Sequence, residues 1–509
     1  MSAVSPASVV IDPYRVKHRG MITLAIMLAT IMQALDTTIA NVALPYMQGS
    51  LQASQDQITW VLTSYIVAAA IATPLTGWSC AHWGRKKVFM ITVIGFTMAS
   101  ALCGLAGALW QIVAARLLQG VFGAALVPLS QAVLLDINPR ERAGQAMAIW
   151  GAGIMVGPIL GPMLGGWLTE YYDWRWVFYI NLPVGLMALY GIARYLPETQ
   201  PAGVRLDPFG FATLSIGVGA LQLFLDRGEQ LDWFNSVEIR AEAITSVLAF
   251  LFFSVHTWTS SGNSFLNKAL LRDRNYVIGI MLAFIVGVIL YATLALQPSL
   301  LQGLLNYPIV FAGLVMAPRG IGTMLAMIAV GRLLYYIDVR VIMGAGLALT
   351  AFSLYLMTLF TLDMDTTLII VSGVIQGVGI GFTFVTLSTV AFSTLAPNLR
   401  NDGTPIYSLM RNVGASAGIS IIQALFSQST ARAHAQLSGA ITPYSAAVQN
   451  LPPLLSAQSP TGLSLLNLEL NRQAAMIGYL SDFHVMMWLT LLAMPMLLLL
   501  RKPRAPAPG

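Results

Sequence analysis

The chain has 509 residues, of which 27 are Lys or Arg and 21 are Asp or Glu, so only 9% carry a charge. Residues of the AVILMFWYC set make up 57%, and the mean hydropathy is +0.72. A soluble domain carries roughly a quarter charged residues, because its surface must stay dispersed in water. The composition therefore excludes soluble enzymes, disulfide-rich secreted domains and disordered proteins, and it predicts a polytopic membrane protein.

Apolar segments about 20 residues long recur along the chain and predict helices that cross the bilayer. We count fourteen such segments. An all-helical fold follows, because backbone groups in lipid must be hydrogen-bonded within their own segment. The predicted spans are 21–44, 58–80, 88–107, 110–134, 144–168, 176–196, 208–226, 239–257, 275–297, 308–330, 341–361, 367–391, 405–427 and 482–500.

Charged residues are distributed unevenly over these spans. Nineteen of the 27 basic residues fall on the side of the two termini and five on the opposite side. Because cytoplasmic loops collect Lys and Arg, both termini are predicted to be cytoplasmic. The net charge of +6 is therefore attributed to membrane orientation and not to nucleic-acid binding. The three remaining arginines, Arg116, Arg319 and Arg411, lie inside spans, where Asp36 is the only deep acid.

Two loops suggest that the chain contains repeated halves. The loops Gly77–Lys87 and Gly331–Arg340 each leave a span on Gly and then present basic residues. Repeated halves are the architecture of many secondary transporters. The predicted organisation is a cytoplasmic tail at 1–20, a six-helix bundle at 21–196, two inserted helices at 197–274, a second six-helix bundle at 275–500 with a long periplasmic loop at 428–481, and a cytoplasmic tail at 501–509.

Six short motifs form a pattern that one transporter family shares. They are Leu35–Pro45, Gly77–Lys87, Arg116–Gly120, Gly153–Gly166, Trp174–Pro183 and Arg411–Gly414. Together they resemble the major facilitator superfamily, and most of all its fourteen-span drug:proton antiporter branch of EmrB type. Ala81 stands where the superfamily loop usually carries an Asp, which argues against a charge-based latch at that position.

The resemblance implies a multidrug efflux pump in the bacterial inner membrane. Such pumps export hydrophobic, often cationic, compounds in exchange for protons by alternating access. In Gram-negative bacteria they work with a periplasmic adaptor of EmrA type and an outer-membrane channel of TolC type. No cofactor is implied, and a sodium gradient stays open as an alternative driver.

Two other classes of function are open to a polytopic chain of this composition. A major-facilitator exporter or importer of a siderophore, sugar or amino acid would carry more polar groups at mid-span than this chain does. A polytopic membrane enzyme would need clustered Asp, Glu or His at a membrane face. The sequence shows no Walker-type phosphate loop and no metal-ligand spacing among its histidines, so neither ATP hydrolysis nor a metal site is predicted.

Two charged side chains are the candidates for proton coupling. Asp36 must face water, pair or take up a proton, because a carboxylate at mid-span is costly. Arg116 is the matching cation and stays protonated at any useful pH. The alternative for both is a structural hydrogen bond between helices. The candidates for substrate contact are Gln33, Thr37, Asn41, Tyr65, Gln119, Tyr291, Gln297, Arg319 and Gln376.

Two further groups are candidates for conformational change. The fifth span repeats Gly every four residues and contains two prolines, which predicts close helix packing and a bend that hinges and seals the two halves. The alternative is ordinary packing. The short loop is expected to brace helix ends in the outward-open state, or else to bind lipid phosphates. These residues are Gly153, Gly157, Pro158, Gly161, Pro162 and Gly165 in the span, and Gly77, Gly84, Arg85 and Lys86 in the loop.

Overall fold

The computed structural model describes residues 16–199, 201, 203–260, 264–396, 399–440 and 459–501, whose secondary structure is helical. The helices of the first part are α1 Arg19–Ser50, α2 Gln55–Ile58, α3 Trp60–Ala72, α4 Leu75–Trp83, α5 Arg85–Leu105, α6 Leu109–Gly123, α7 Leu126–Ile137, α8 Ala143–Tyr171, α9 Trp176–Tyr179, α10 Asn181–Tyr195, α11 Pro208–Arg227 and α12 Val237–Thr259. Those of the second part are α13 Lys268–Arg272, α14 Arg274–Pro298, α15 Ile309–Leu333, α16 Val339–Met357, α17 Thr366–Ser393, α18 Arg400–Ala440 and α19 Pro460–Ala493. Short 3₁₀ segments cover Arg140–Arg142, Trp233–Asn235 and Met494–Leu499, and a π-helical segment covers Ser299–Leu304.

Most of these helices are long and apolar enough to cross a membrane. Within the described residues twelve qualify, and the pair α3 and α4, bent by 55°, makes a thirteenth. The remaining predicted span, 405–427, lies inside α18, which packs against α14 and α19 and contains the polar residues Arg411, Asn412 and Ser416. The prediction of an all-helical polytopic fold is confirmed, and the helices agree approximately with a count of fourteen.

The helices pack in two sets with the same internal order. In the first set α1 packs against α8 and α10, α3 against α6, and α5 against α6 and α10. In the second set α14 packs against α18 and α19, α15 against α17, and α16 against α17 and α19. The second set therefore repeats the helix contacts of the first.

The helix pair between the two sets has one bridging and one outer member. α11 packs against α12, against α3 of the first set and against α18 of the second. The Thr63 hydroxyl donates to Asp226, and the Gln222 amide donates to Ser416 Oγ at 2.6 Å, so α11 is hydrogen-bonded to both sets. α12 leaves apolar side chains such as Val247 exposed, as expected of a helix that faces lipid.

Both flanks of the predicted long loop at 428–481 are helical. α18 continues to Ala440, and α19 already begins at Pro460. The two helices pack on each other there, with the Phe426 and Tyr479 rings 4.5 Å apart and His434 Nε2 3.3 Å from Asn467 Oδ1. The middle of the loop, 441–458, and most of the predicted tails, 1–15 and 502–509, lie outside the described residues.

Candidate transport site

The centre of the candidate site is Asp36, halfway along α1 and fully buried. Its Oδ2 accepts a hydrogen bond from Arg116 Nη1 at 2.7 Å. Its Oδ1 accepts two more, from Gln119 Nε2 and from Asn181 Nδ2, both at 2.8 Å. The carboxylate thus has three donors from two other helices, α6 and α10, which is the environment that a buried anion requires.

Arg116 is buried as completely and is held on several sides. Its Nη1 also donates to Gln119 Oε1 at 2.8 Å, and its Nε donates to the Val61 carbonyl at 3.0 Å. Its guanidinium carbon lies 4.3 Å from the centre of the Tyr65 ring, within the range of a cation–π contact. Because residues 116 and 119 are three apart on α6, both reach Asp36 from one helix face.

Asn181 was not among the sequence candidates as a partner of Asp36. Its Nδ2 also lies 3.0 Å from Ser100 Oγ, and the Ser100 hydroxyl donates to the Phe178 carbonyl at 2.8 Å. Asn181 is the first residue of α10, directly after the short helix α9. An Asn at the start of a helix is ordinarily explained as a cap, so its residue type alone does not indicate function. The only sequence signal for Asn181 is its place in the Trp174–Pro183 motif.

The other polar candidates of the first set lie beside this cluster. The Gln33 amide donates to the Tyr65 hydroxyl at 3.1 Å. Gln33, Thr37 and Asn41 follow one another at four-residue spacing on α1, the first two half-buried and the third exposed. Gln119 differs from them, because it is fully buried and both of its amide atoms bond within the cluster.

A second polar cluster joins three helices of the second set. Arg319 Nη1 on α15 donates to Gln297 Oε1 on α14 at 2.7 Å. Gln376 Nε2 on α17 donates to Thr293 Oγ1, one turn away on α14, at 3.3 Å. The structure thus brings three sequence candidates together, whereas Tyr291 is half-buried against the main apolar core.

The glycine stripe of α8 faces α1 and not the other half. A Cβ on Gly157 would lie 2.4 Å from the Ala34 carbonyl oxygen, and one on Gly161 would lie 2.2 Å from Thr38 Oγ1. In this structure the stripe therefore packs within the first set, and its expected role as a hinge and seal stays a prediction. Other glycines make contact with the other half, since Gly151 of α8 faces Met327 and Phe384. The flanking members of the stripe, Gly153 and Gly165, also approach α1 side chains, and Pro158 and Pro162 lie within the continuous helix.

A buried charge cluster joins the two halves beside the short loop. Arg85 Nη1 at the start of α5 donates to Asp136 Oδ2 at the end of α7. Arg400 Nη1 at the start of α18 donates to Asp136 Oδ1 at 2.7 Å and to the Leu135 carbonyl at 3.1 Å. Arg85 Nε donates to Asn401 Oδ1 at 2.7 Å. We name Arg85, Asp136, Arg400 and Asn401 the Asp136 latch.

The loop glycines allow the backbone to approach the latch closely. Gly84 has φ +85° between α4 and α5, and a Cβ there would lie 2.6 Å from the Thr199 carbonyl. A Cβ on Gly77 would lie 2.9 Å from the Asn401 carbonyl at the start of α18. Lys86 is half-buried next to Arg85. A charge latch therefore exists although Ala81 is not acidic, because Asp136 supplies the carboxylate.

Asp36 is not the only deep acid, because Asp482 of α19 is also fully buried, and neither of its carboxyl oxygens has a hydrogen-bond partner. The predicted span began at 482, which placed this residue at a membrane surface. The helix in fact begins at Pro460, so Asp482 lies well inside it.

Two matched helix sets, with a buried ion pair in the first and a buried charge cluster between them, are the architecture of many secondary transporters. The family model "Major Facilitator Superfamily" matches residues 26–419. The chain belongs to this superfamily of membrane transporters.

Named relatives and solved structures agree with this assignment. The chain is 36% identical over 464 residues to the fatty acid resistance protein FarB of Neisseria gonorrhoeae, covering 90% of this chain and 91% of that one. It is 35% identical over 425 residues to the multidrug export protein EmrB of Escherichia coli K12, covering 83% of each. The human organic anion transporter MFSD10 shares the fold, with a TM-score of 0.61 at 16% identity over 94% of this chain and 100% of that one.

Proposed function

We propose that this transporter exports hydrophobic, often cationic, drugs across the bacterial inner membrane in exchange for protons. Its similarity to a relative named for multidrug export supports the substrate class. The observation that carries proton coupling is the buried Asp36 carboxylate, held by Arg116, Gln119 and Asn181. It is an ionisable group at mid-span whose partners come from two other helices, and such groups mark proton relays in transporters.

Protonation of Asp36 would change the energy of the whole cluster. A neutral carboxyl no longer compensates the Arg116 cation, which would remain buried with the Val61 carbonyl, the Gln119 amide oxygen and the Tyr65 ring as partners. A buried charge without its counterion costs about 3–5 kcal/mol. That free energy is available to drive α1, α6 and α10 into another arrangement, and this links proton uptake to drug movement.

We further propose that the end of the molecule with the Asp136 latch is cytoplasmic. The excess of basic residues on the side of the termini supports this orientation, with both termini inside the cell. In that orientation the latch closes the cytoplasmic side, so this conformation faces outward. Rocking of the bundles at 21–196 and 275–500 would open the latch to admit substrate.

The proposed assembly includes a periplasmic adaptor of EmrA type and an outer-membrane channel of TolC type. The extent of similarity to the relative named EmrB supports it. The packed pair α18 and α19 continues past the predicted spans on the side opposite the latch, which offers an adaptor a rigid helical surface.

The test of proton coupling is Asp36→Asn in purified full-length protein reconstituted into liposomes. We expect the variant to lose ethidium transport driven by an imposed pH gradient, while Asp173→Asn, the same change at an exposed acid, transports like the wild type. Because Asp36→Asn leaves Arg116 unpaired, the double variant Asp36→Asn with Arg116→Gln serves as a folded reference. Gradient-driven transport by either Asp36 variant would disprove the proposal.

A further inference from the structure

Asp482 is a buried acid outside the ion-pair cluster of the first set. It lies in α19, its side chain is fully buried, and neither of its carboxyl oxygens has a hydrogen-bond partner. Asp36, by contrast, accepts three hydrogen bonds and pairs with Arg116. An ionised carboxylate without a donor or a counterion costs far more to bury than the neutral acid. The surroundings of Asp482 therefore favour its protonated form.

The second set has a neutral hydroxyl at the place where the first set has its acid. The matching of helix contacts places α14 and α17 in correspondence with α1 and α6. In the second set Gln376 of α17 donates to the Thr293 hydroxyl of α14 at 3.3 Å. The corresponding bond of the first set runs from Gln119 of α6 to Asp36 of α1. A carboxyl of the second set must therefore come from another helix.

Asp482 brings that carboxyl to the second set from α19. Met486 Sδ of α19 lies 3.8 Å from Thr293 Oγ1 of α14. The start of α14, at the latch end, is hydrogen-bonded to the chain beyond the end of α19, so the two helices run antiparallel. One turn further from the latch, Asp482 therefore lies level with Gln297, which accepts a hydrogen bond from Arg319 at 2.7 Å.

The helices packed on α19 bring no charge near Asp482. α18 passes this level close to Phe426, whose ring packs on α19. Arg411 is fifteen residues further along α18, about 22 Å away, and the ionisable groups at the starts of α14, α16 and α18 are further still. Nearer Asp482, Tyr291 of α14 packs in the main apolar core and Tyr355 of α16 is exposed.

Beyond Asp482, towards the end opposite the latch, the charged groups are exposed or already paired. Arg432 of α18 is exposed, and His434 of α18 bonds to an Asn side chain of α19. Arg472 of α19 pairs with Glu469 of the same helix. None of these groups supplies a counterion for the buried carboxyl.

An unpartnered hydroxyl lies between Asp482 and the end opposite the latch. Gly478 is one turn from Asp482 on the same face of α19, and a Cβ there would lie 2.4 Å from Thr430 Oγ1 of α18. The half-buried Thr430 hydroxyl has no hydrogen-bond partner. A hydroxyl both donates and accepts, so it suits the transfer of a proton to the carboxyl. The titratable neighbours on α19 itself are Tyr479, which is uncharged at neutral pH, and His484, which is exposed.

We propose that Asp482 is a second proton-binding carboxyl of the transport cycle, loaded with a proton in this conformation and separate from Asp36. Arg319 Nη2 has no hydrogen-bond partner, so this guanidinium is available as the counterion of an ionised Asp482. Its approach in another arrangement of the second set would favour the carboxylate and release the proton. The inference rests on the proposed function and adds a second proton to each cycle.

Two protons per cycle give transport an electrical signature. Exchange of two protons for one ethidium cation moves one net positive charge across the membrane, whereas exchange of one proton moves none. Asp482→Asn keeps this position permanently neutral, as in the proton-loaded form. The variant should therefore exchange ethidium for the Asp36 proton alone.

The transport test uses purified full-length protein in liposomes and a potassium diffusion potential, positive inside, without a pH gradient. One net charge crossing a potential of about 100 mV supports up to about fiftyfold accumulation. We expect the wild type to accumulate ethidium in the lumen, against the direction in which the potential drives passive entry of a cation. Asp482→Asn should accumulate none under the potential and should respond to a pH gradient only. Glu469→Gln, at an exposed acid of the same helix, should respond like the wild type.

An infrared test detects the proton directly and needs no transport. A protonated carboxyl has a C=O stretch that is distinct from the bands of a carboxylate. In detergent at neutral pH, the spectrum of the wild type minus that of Asp482→Asn should contain this C=O band. The spectrum of the wild type minus that of Asp36→Asn should lack it, because Asp36 is paired with Arg116. A thermal unfolding curve establishes that each variant is folded.

Absence of the C=O band from the Asp482 difference spectrum would overturn the inference. So would a wild type that accumulates ethidium with a pH gradient but not with the potential, or a folded Asp482→Asn variant that responds to the potential like the wild type. A wild type that transports ethidium under neither gradient would instead disprove the proposed function. The infrared band would then still decide whether Asp482 holds a proton.

Discussion

At the scale of single residues, two buried aspartates show opposite ways of tolerating an acid in a membrane. Asp36 has three hydrogen-bond donors, one of them a guanidinium, and both of its carboxyl oxygens accept hydrogen bonds. Asp482 is buried to the same degree and has no donor at all. The first arrangement favours a charge, whereas the second gives a charge nothing to offset the cost of leaving water.

The same substitution should therefore have different effects at these two positions. Asp36→Asn removes the counterion of Arg116 and should lower the free energy of unfolding by about 3–5 kcal/mol. Asp482→Asn replaces an unpartnered carboxyl by a neutral amide of equal size and should change it by less than about 1 kcal/mol. Denaturant unfolding of both variants, followed by helical circular dichroism, measures the two changes. A greater loss for Asp482→Asn would show that its carboxylate has a stabilising partner.

The ion pair of the site could be predicted from sequence, but the Asp136–Arg400 pair of the latch could not. A charge at mid-span is costly, so Asp36 and Arg116 stand out by their positions inside the predicted spans. Asp136 and Arg400 lie near helix ends, where charged residues are common and carry no such signal. Their contact joins positions 264 residues apart, and no local pattern encodes that proximity.

At the scale of helices, α8 shows how glycine spacing predicts a contact without predicting the partner. Its stripe was expected between the halves, yet it packs on α1 within the first set. Glycine at every fourth position indicates only that some helix approaches closely. Which helix does so depends on the rotation of α8, and the Asp36 cluster on α1 gains rigidity from this contact.

A substitution pair on α8 tests this packing. Gly157→Ala places a methyl group 2.4 Å from the Ala34 carbonyl oxygen, so the backbones must separate, and we expect a loss of about 1–3 kcal/mol in stability. Gly166→Ala on the same helix meets nothing within 4 Å and should be neutral or stabilising by up to about 1 kcal/mol. Thermal unfolding in detergent measures both. Equal effects would show that α1 and α8 are not in close contact here.

Helix positions followed from apolarity, but helix lengths did not. Hydropathy reports where a helix lies in lipid, and it loses its signal once the chain enters water. The segment from Ser429 to Ala440 contains four alanines, and alanine forms helices well outside a membrane. It was therefore predicted as loop, although packing of α18 on α19 continues the helix there.

At the scale of the whole molecule, the two halves are joined at one end and bridged along one side. The Asp136 latch joins α5 and α7 to α18. The inserted helix α11 bonds to Thr63 in the first set and to Ser416 in the second. Relative motion of the halves must therefore break the latch and shear the contacts of α11, so the inserted helices influence the balance between conformations.

Breaking the latch should open its end of the molecule, and Cys80 offers a reporter. Cys80 of α4 is a free thiol, buried near the latch. Asp136→Asn removes the carboxylate that Arg85 and Arg400 share, and we expect Cys80 to react with a maleimide several times faster in a Cys103→Ala background. Asp173→Asn in the same background is the control. Unchanged labelling in the Asp136 variant would mean that other contacts keep this end closed.

α18 is long enough to connect the latch mechanically to the opposite end of the molecule. At 41 residues it extends about 60 Å, twice the thickness of the hydrocarbon core. It begins at Arg400, so one continuous helix runs from the latch through the predicted span at 405–427 and thirteen residues beyond it. A tilt of about 10° at the latch would displace the far end by about 10 Å. A protein seated on that end would therefore sense mechanically whether the opposite side of the transporter is shut.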